Sequence, residues 1–195
     1  NLSSANSINF GRILPQIAYY VYAYVQLGQG GERMVFSVPS GNFGNALGCE
    51  FARRMGLPVA KLVMPTNEND EFPLFMATGK YQKVSPSRAC ISNAMNVGHP
   101  SNLARFFDLY GGTVDRAGCV HRYPDLEEMR RWIYSVSVSD DQTRQTIQDV
   151  YKRYGVILEQ HGAVGWAGLE DYWRQTADET LAVCLETAHP AKFPE

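Results

Sequence analysis

Apolar positions along this chain recur with two different periods, and segments of each kind alternate. Ile13, Ile17, Tyr20, Val21 and Tyr24 share one helical face, so a helix is expected to enter from small polar residues and to stop at Gly28 and Gly30-Gly31. Pro15 falls in its first turns, where a missing N–H does little harm. Met34-Val35-Phe36-Ser37-Val38 is a short apolar run without helical period, which predicts a buried strand. A helix over 44–55 follows, with Leu47, Phe51 and Met55 on one face and Gly56 at its end. Residues 59–64 read as a second strand, closed by Pro65. Strand, helix, strand with tight turns predicts a βαβ unit and a parallel sheet.

Further on, 70–78 reads as a short helix and 82–88 as a loop. Residues 101–110 read as a helix with Ser101 as its N-cap, stopped by Gly111-Gly112. Residues 125–134 are helical by composition. Residues 140–154 form a stronger helix, with Ile147, Val150, Tyr151 and Tyr154 on its face and Gly155 closing it. Residues 162–173 make a helix rich in small residues. The clearest late strand is 180–187, which runs into a turn at His189-Pro190. The expected fold class is α/β: an open, mainly parallel sheet with flanking helices. No internal boundary divides 1–195.

Composition narrows the functional classes. The chain has 195 residues, 45% hydrophobic and 19% charged, with a net charge of -2. These values suit a globular domain and argue against a surface built to hold nucleic acid. No apolar stretch approaches a bilayer span, and the polar opening Asn1-Leu2-Ser3-Ser4 is unlike a signal peptide. Cys49, Cys90, Cys119 and Cys184 form no CxxC pair, so reduced thiols and a cytoplasmic setting are expected. His99, His121, His161 and His189 lack metal-ligand spacing.

Two stretches carry candidate chemistry. Pro39-Ser40-Gly41-Asn42-Phe43-Gly44-Asn45 joins a strand to a helix, where unpaired amides and the helix dipole favour an anion. Gly41 and Gly44 permit positive φ and close approach to a ligand. The loop lacks the Walker lysine and the GxGxxG spacing. By pattern alone it is equally a phosphate cradle or a plain βα turn. Thr187-Ala188-His189-Pro190 follows the late strand, and in open parallel sheets ligands lie beyond the carboxyl ends of strands. The Thr187 hydroxyl there is either a ligand partner or a turn cap. The polar entry to the first helix, with Arg12, reads as a capped helix or as a second anion site.

Several motifs together resemble the threonine synthase family, pyridoxal-phosphate enzymes of the tryptophan-synthase-β-like fold. They are Ser37-Val38-Pro39-Ser40-Gly41-Asn42-Phe43-Gly44-Asn45, Asn1-Leu2-Ser3-Ser4-Ala5-Asn6-Ser7-Ile8-Asn9, Thr66-Asn67-Glu68-Asn69-Asp70, Ile91-Ser92-Asn93-Ala94-Met95 and Thr187-Ala188-His189-Pro190-Ala191-Lys192-Phe193. The last motif separates this family from the serine and threonine dehydratases, which share the Gly-rich loop. A non-catalytic module for a phosphorylated ligand is the alternative from another class.

The resemblance implies conversion of O-phospho-L-homoserine and water into L-threonine and phosphate, with pyridoxal phosphate as electron sink. It implies that Gly41, Asn42, Phe43, Gly44 and Asn45 hold or surround the cofactor phosphate. It also implies that Thr187 faces the pyridine nitrogen with a neutral hydroxyl, which would not force that nitrogen to stay protonated. Asn6, Ser7, Asn9 and Arg12 match a polar entry near the substrate phosphate. Asn96 and Gln160 depart from the family's usual Asp and Pro. The family's Schiff-base lysine sits in a Phe-Lys-Asp context upstream of the segment matching residue 1, and none of Lys61, Lys80, Lys83, Lys152 and Lys192 has that context. The expectation is a C-terminal portion, incomplete on the N-terminal side, with no catalytic residue of its own and the front half of the enzyme as its partner.

Overall fold

The computed structural model describes residues 9–193. Its centre is a four-stranded parallel sheet in the order β5-β2-β1-β6, formed by β1 (Met34–Ser37), β2 (Val59–Val63), β5 (Ile133–Tyr134) and β6 (Ala182–Cys184). All three pairings are parallel. Every residue of β1 is buried, as expected for a strand covered on both faces.

Alternation along β1 divides the core. Met34 and Phe36 join a large cluster with Tyr20 of α1 (Leu14–Leu27) and Leu47 of α2 (Gly44–Arg54). The same cluster takes Phe72 and Phe75 of α3 (Glu71–Thr78) and Phe106 and Phe107 of α4 (Leu103–Leu109). Val35 points the other way, to Leu169 and Tyr172 of α7 (Gln160–Thr176). Tyr20 meets Phe36 edge-on, with ring centroids 5.2 Å apart. Local signals set the helix ends. Asp125 accepts from the Glu128 N–H ahead of α5 (Leu126–Trp132), and Ser139 and Gln142 form a capping box ahead of α6 (Asp140–Tyr154).

The expected βαβ unit is β1-α2-β2, and the α/β reading holds. Several details differ. Residues 125–134 end not as helix but in β5, because Ile133 and Tyr134 pair with Leu62 and Val63 on the sheet edge. The late strand is confined to Ala182–Cys184, since its partner β1 is only four residues long. A small antiparallel hairpin, β3 (Thr113–Val114) and β4 (Val120–Arg122), lies in a stretch whose pattern gave no element. Asn102, not Ser101, precedes α4. Four apolar positions assigned to buried faces are exposed: Val21 43%, Met55 76%, Tyr151 57% and Tyr154 51%. In α6 Val150 is buried as expected, but the positions buried with it are Thr143 and Thr146, one step around the helix.

Candidate functional site

All four sheet strands are parallel, so the loops after β1, β2, β5 and β6 emerge at one edge. From β1 the chain moves through α2 to β2 on one side, while β6 lies on the other. The crevice between the β1 and β6 loops is therefore a switch point of the sheet, where ligands settle in open α/β folds.

A cavity of about 660 Å³ lies there. Its wall includes Arg12, Gln16 and Tyr19 at the start of the chain, Asn45 in the first turn of α2, and Leu185, Glu186 and Thr187 after β6. Residues far apart in sequence, Asn45 and Thr187, thus face one space. Gly41, Asn42, Phe43 and Gly44 do not line this wall. Among the described residues, no acceptor meets the main-chain N–H groups of Gly44, Asn45 and Ala46. These open amides at the positive end of α2 are suited to a dianionic phosphate.

The loop reaches this geometry in an unexpected way. Neither Gly41 nor Gly44 has positive φ. The left-handed residue is Phe43, at φ 63° and ψ 7°. Such a conformation costs roughly 1–3 kcal/mol and persists when the surroundings over-determine it. Here the Phe43 ring is buried edge-on against Phe72 at 5.0 Å and Phe106 at 6.0 Å. Burial of such a ring is worth about 1.5–3 kcal/mol, enough to offset the strain. Gly41 serves close approach, though to protein: a Cβ there would stand 2.8 Å from Met95 Cα and 3.0 Å from the Ala94 carbonyl oxygen.

Asn42 ties the loop to the segment before α4. Its Oδ1 accepts from the Ser101 N–H at 2.6 Å and the Ser101 hydroxyl at 2.8 Å, and its carbonyl accepts from Asn102 Nδ2 at 2.8 Å. Asn45 Oδ1 accepts from the Tyr20 hydroxyl at 2.6 Å. Asn9 caps the 3-10 turn Phe10–Arg12 through Gly11 N–H at 3.0 Å, while Arg12 stands in the cavity wall. That cap belongs to the turn and not to α1, whose N-cap Ile13 makes no side-chain bond. Asn6 and Ser7 lie outside the described residues.

Behind Thr187 stands a buried polar group that local pattern did not flag. The Thr187 hydroxyl donates to Glu159 Oε1 at 3.5 Å. Glu159 caps α7 by accepting from the N–H groups of His161 and Gly162, both at 2.8 Å. Its Oε2 also accepts from His161 Nδ1 at 2.5 Å, and His161 Nε2 accepts from the Ala94 N–H at 3.1 Å. This pattern assigns the imidazole proton to Nδ1. Burial disfavours the Glu159 charge, but the His161 bonds outweigh it and hold the carboxyl below its usual range. Glu186 is different: burial, with the Glu159 charge beside it, pushes it up to about 7. Its Oε1 accepts from the Glu159 N–H at 3.0 Å. A Cβ at position 162 would stand 1.8 Å from Glu186 Oε2, so a side chain there requires that carboxylate to move. A Glu-x-His pair opening a helix was the available signal.

A second network braces Gly41 from behind. Asn67 Nδ2 donates to Ser92 Oγ at 3.1 Å and Asn96 Oδ1 at 2.9 Å, and its Oδ1 accepts from the Asn69 N–H and amide. Asn96 gives its side-chain oxygen to Asn67 and donates its amide to the Cys90 carbonyl at 3.2 Å. Among the described residues, no lysine lines the cavity. Lys61 is turned to the Arg130 and Arg131 carbonyls, at 3.2 and 2.7 Å, below the sheet edge. Among the described residues there is no cluster of three or more metal-ligating side chains, and no helix is long and apolar enough to cross a membrane.

Comparison with known proteins agrees with this fold. The family model described as "Threonine synthase, C-terminal" matches residues 162–195, which include most of α7, β6 and Thr187. Threonine synthase of Pseudomonas aeruginosa is 38% identical over 100% of this chain and 43% of its own length. The solved structure of a PLP-bound threonine synthase from Brucella melitensis superposes with a TM-score of 0.86 at 33% identity, covering 99% of this chain and 43% of that one. That of Escherichia coli gives 0.80 at 35% identity, covering 98% and 41%. A threonine deaminase from Solanum lycopersicum, at 19% identity and TM-score 0.60, shares the fold alone. The chain spans about two-fifths of the length of the curated relatives it matches. In sequence over its whole length and in fold, this chain is similar to the C-terminal part of threonine synthases.

Proposed function

We propose that this chain supplies the phosphate-binding side of a pyridoxal-phosphate site in an enzyme that converts O-phospho-L-homoserine and water into L-threonine and phosphate. The observation that carries the reading is the meeting of Asn45, in the first turn of α2, and Thr187 at one cavity, in a chain similar to threonine synthases throughout. The donor set fits the cofactor. The N–H groups of Gly44, Asn45 and Ala46 suit its phosphate, and the Thr187 hydroxyl suits its ring nitrogen. When bound, the cofactor supplies an electron sink for carbanion chemistry at the substrate.

The chain's own residues have separate tasks. Phe43 fixes the turn that aims the amides. Asn42 and Ser101 anchor the loop to the segment before α4. Asn45, held by Tyr20, lines the cavity at the start of α2. Arg12 places a permanent positive charge on the same wall, suited to the phosphate or carboxylate of the substrate. The remainder of the site, including the lysine that bonds the cofactor aldehyde, is supplied by other parts of the enzyme.

Two measurements test this. Titration with pyridoxal phosphate, followed by ³¹P NMR, is expected to show binding that pyridoxal without its phosphate does not match. Equal binding of both compounds refutes the phosphate cradle. The 195-residue chain alone is expected to release no phosphate from O-phospho-L-homoserine, because no lysine reaches the cavity; clear turnover contradicts the division of labour.

A further inference from the structure

The first helix carries a face that no described residue covers. No residue of α1 bears a charge, and apart from its tyrosines only Gln16 and Gln26 are polar. Ile17, Tyr20 and Tyr24 turn inward to the large core cluster. On the opposite side Leu14, Ala18, Val21, Tyr22 and Val25 recur at helical spacing and are exposed, Leu14 by 49%, Val21 by 43%, Tyr22 by 68% and Val25 by 69%. The stripe runs for about 16 Å. A helix that is apolar all round belongs in an interior, and a contiguous apolar face marks a contact site.

The neighbouring strand β6 is open as well. Its two faces are covered: Val183 and Leu185 pack on the cluster that takes Ile17 and Tyr24 of α1, and Ala182 and Cys184 pack with Leu169 and Tyr172 of α7. Its bonds to β1 run through residues 181 and 185. The Leu181 carbonyl accepts from the Val35 N–H, and the Leu185 N–H donates to the Ser37 carbonyl, both at 2.9 Å. Alternation along the strand turns the main-chain N–H and C=O groups of Ala182 and Cys184 the other way. On that side no strand follows among the described residues. Both helix layers are in place, while the sheet between them ends in main-chain groups that a further strand would pair.

The cavity decides what covers this surface. Pro15 and Tyr19 of α1 and Leu185 and Thr187 after β6 belong to its wall, so whatever completes the site across its open side meets both elements. The relatives have ample further length for this, since the chain spans 43% of the Pseudomonas aeruginosa threonine synthase. We propose that the outer face of α1 and the free edge of β6 form one docking surface for the part of the same polypeptide that lies outside residues 1–195. A strand of that part pairs with Ala182 and Cys184, and apolar side chains of it pack on Val21, Tyr22 and Val25. This rests on the reading that other parts of the enzyme complete the site, and it names where they attach.

The test uses the whole protein carrying this chain, purified with pyridoxal phosphate. The photoreactive residue p-benzoylphenylalanine replaces Tyr22, and mass mapping after irradiation identifies what it has joined. A cross-link within one polypeptide, to a segment outside residues 1–195, is expected. A product of doubled mass places a second copy on α1 and overturns the proposal, as does a probe that joins nothing. Hydrogen exchange needs no substitution and reads the strand edge. The Ala182 and Cys184 amides are expected to exchange at least about a hundredfold more slowly than in an unfolded peptide. Exchange near the unfolded rate means that no strand is added, and overturns the proposal. Cofactor binding is read separately in the same preparation. Bound pyridoxal phosphate together with a doubled-mass product refutes the docking surface alone. The expected cross-link in a protein that does not bind pyridoxal phosphate refutes the cofactor reading alone.

Discussion

Replacing Gly41 with alanine tests the close approach on which the phosphate loop is built. The new methyl would stand 2.8 Å from Met95 Cα, whereas ordinary contact begins at 3.4 Å, so the backbone must part by about 0.6 Å. The obstacle is main chain, and no rotamer change removes it. Nor is the segment free to retreat. Ser92 and Asn96 are bonded to Asn67, Ala94 N–H is bonded to His161, and Met95 is buried with Val138 and Val164. Overpacking of this kind costs roughly 1–3 kcal/mol. At about 2–4 °C per kcal/mol for a domain of this size, melting is expected to fall by roughly 2–12 °C. Displacing the amides of α2 by a similar distance weakens a charge-assisted hydrogen bond worth about 1.5–3 kcal/mol, so pyridoxal-phosphate affinity falls by about tenfold or more. Scanning calorimetry and a cofactor titration read the two effects. An unchanged melting temperature would show that the 92–95 segment yields freely, and the reasoning would be wrong.

Glu50 is fully buried in α2, where its carboxylate accepts from Arg53, Arg54 and the Tyr110 hydroxyl. Glu50→Ala leaves Arg53 without its partner and is expected to cost about 3–5 kcal/mol in urea unfolding; a loss under 1 kcal/mol would contradict the buried ion pair. Glu71 is 1% exposed with Oε2 unpartnered, and burial raises its carboxyl to about 8. The folded state therefore keeps a proton that the unfolded chain loses above its ordinary 4.5, so stability falls as pH rises from about 4.5 to 8, by at most about 1.4 kcal/mol per pH unit. Glu71→Gln is expected to flatten that slope, and urea midpoints at pH 6 and 9 with the same slope in both proteins would refute it. Among the cysteines, Cys119 is exposed, whereas burial raises the thiols of Cys49, Cys90 and Cys184, the last to about 12. Mass mapping after brief iodoacetamide treatment is expected to find Cys119 labelled first; prior labelling of Cys184 would contradict its burial.

Legibility in the sequence followed the range of the interaction. The β1-α2-β2 unit was readable because an apolar run, a small polar loop and a helical period lie within thirty or so residues. Gly41 was recognisable as a special position, but its reason was not, since Met95 approaches it only in three dimensions. Phe43 was overlooked as the left-handed residue because nothing local predicts a bulky side chain there. Its conformation depends on the pocket made by Phe72 and Phe106. Tyr151 and Tyr154 looked like a buried stripe, yet Thr143 and Thr146 take that place, since helical period fixes a face only to within about one residue's rotation. Ile133 and Tyr134 carried helical composition and became a strand because the edge of β2 was open to them.

By itself, the sequence determined the alternation of strands and helices, the parallel sheet that such an order requires, and a βα loop suited to an anion. Local periodicity and turn chemistry are enough for those. Only the tertiary structure decided that the end of β6 would stand beside the start of α2, because that depends on which edge of β1 the last strand joins. It also decided that His161 and Glu159 would be a bonded pair behind Thr187. A buried polar contact is set by distances of a few tenths of an ångström between segments remote in the chain, and no one-dimensional pattern encodes them.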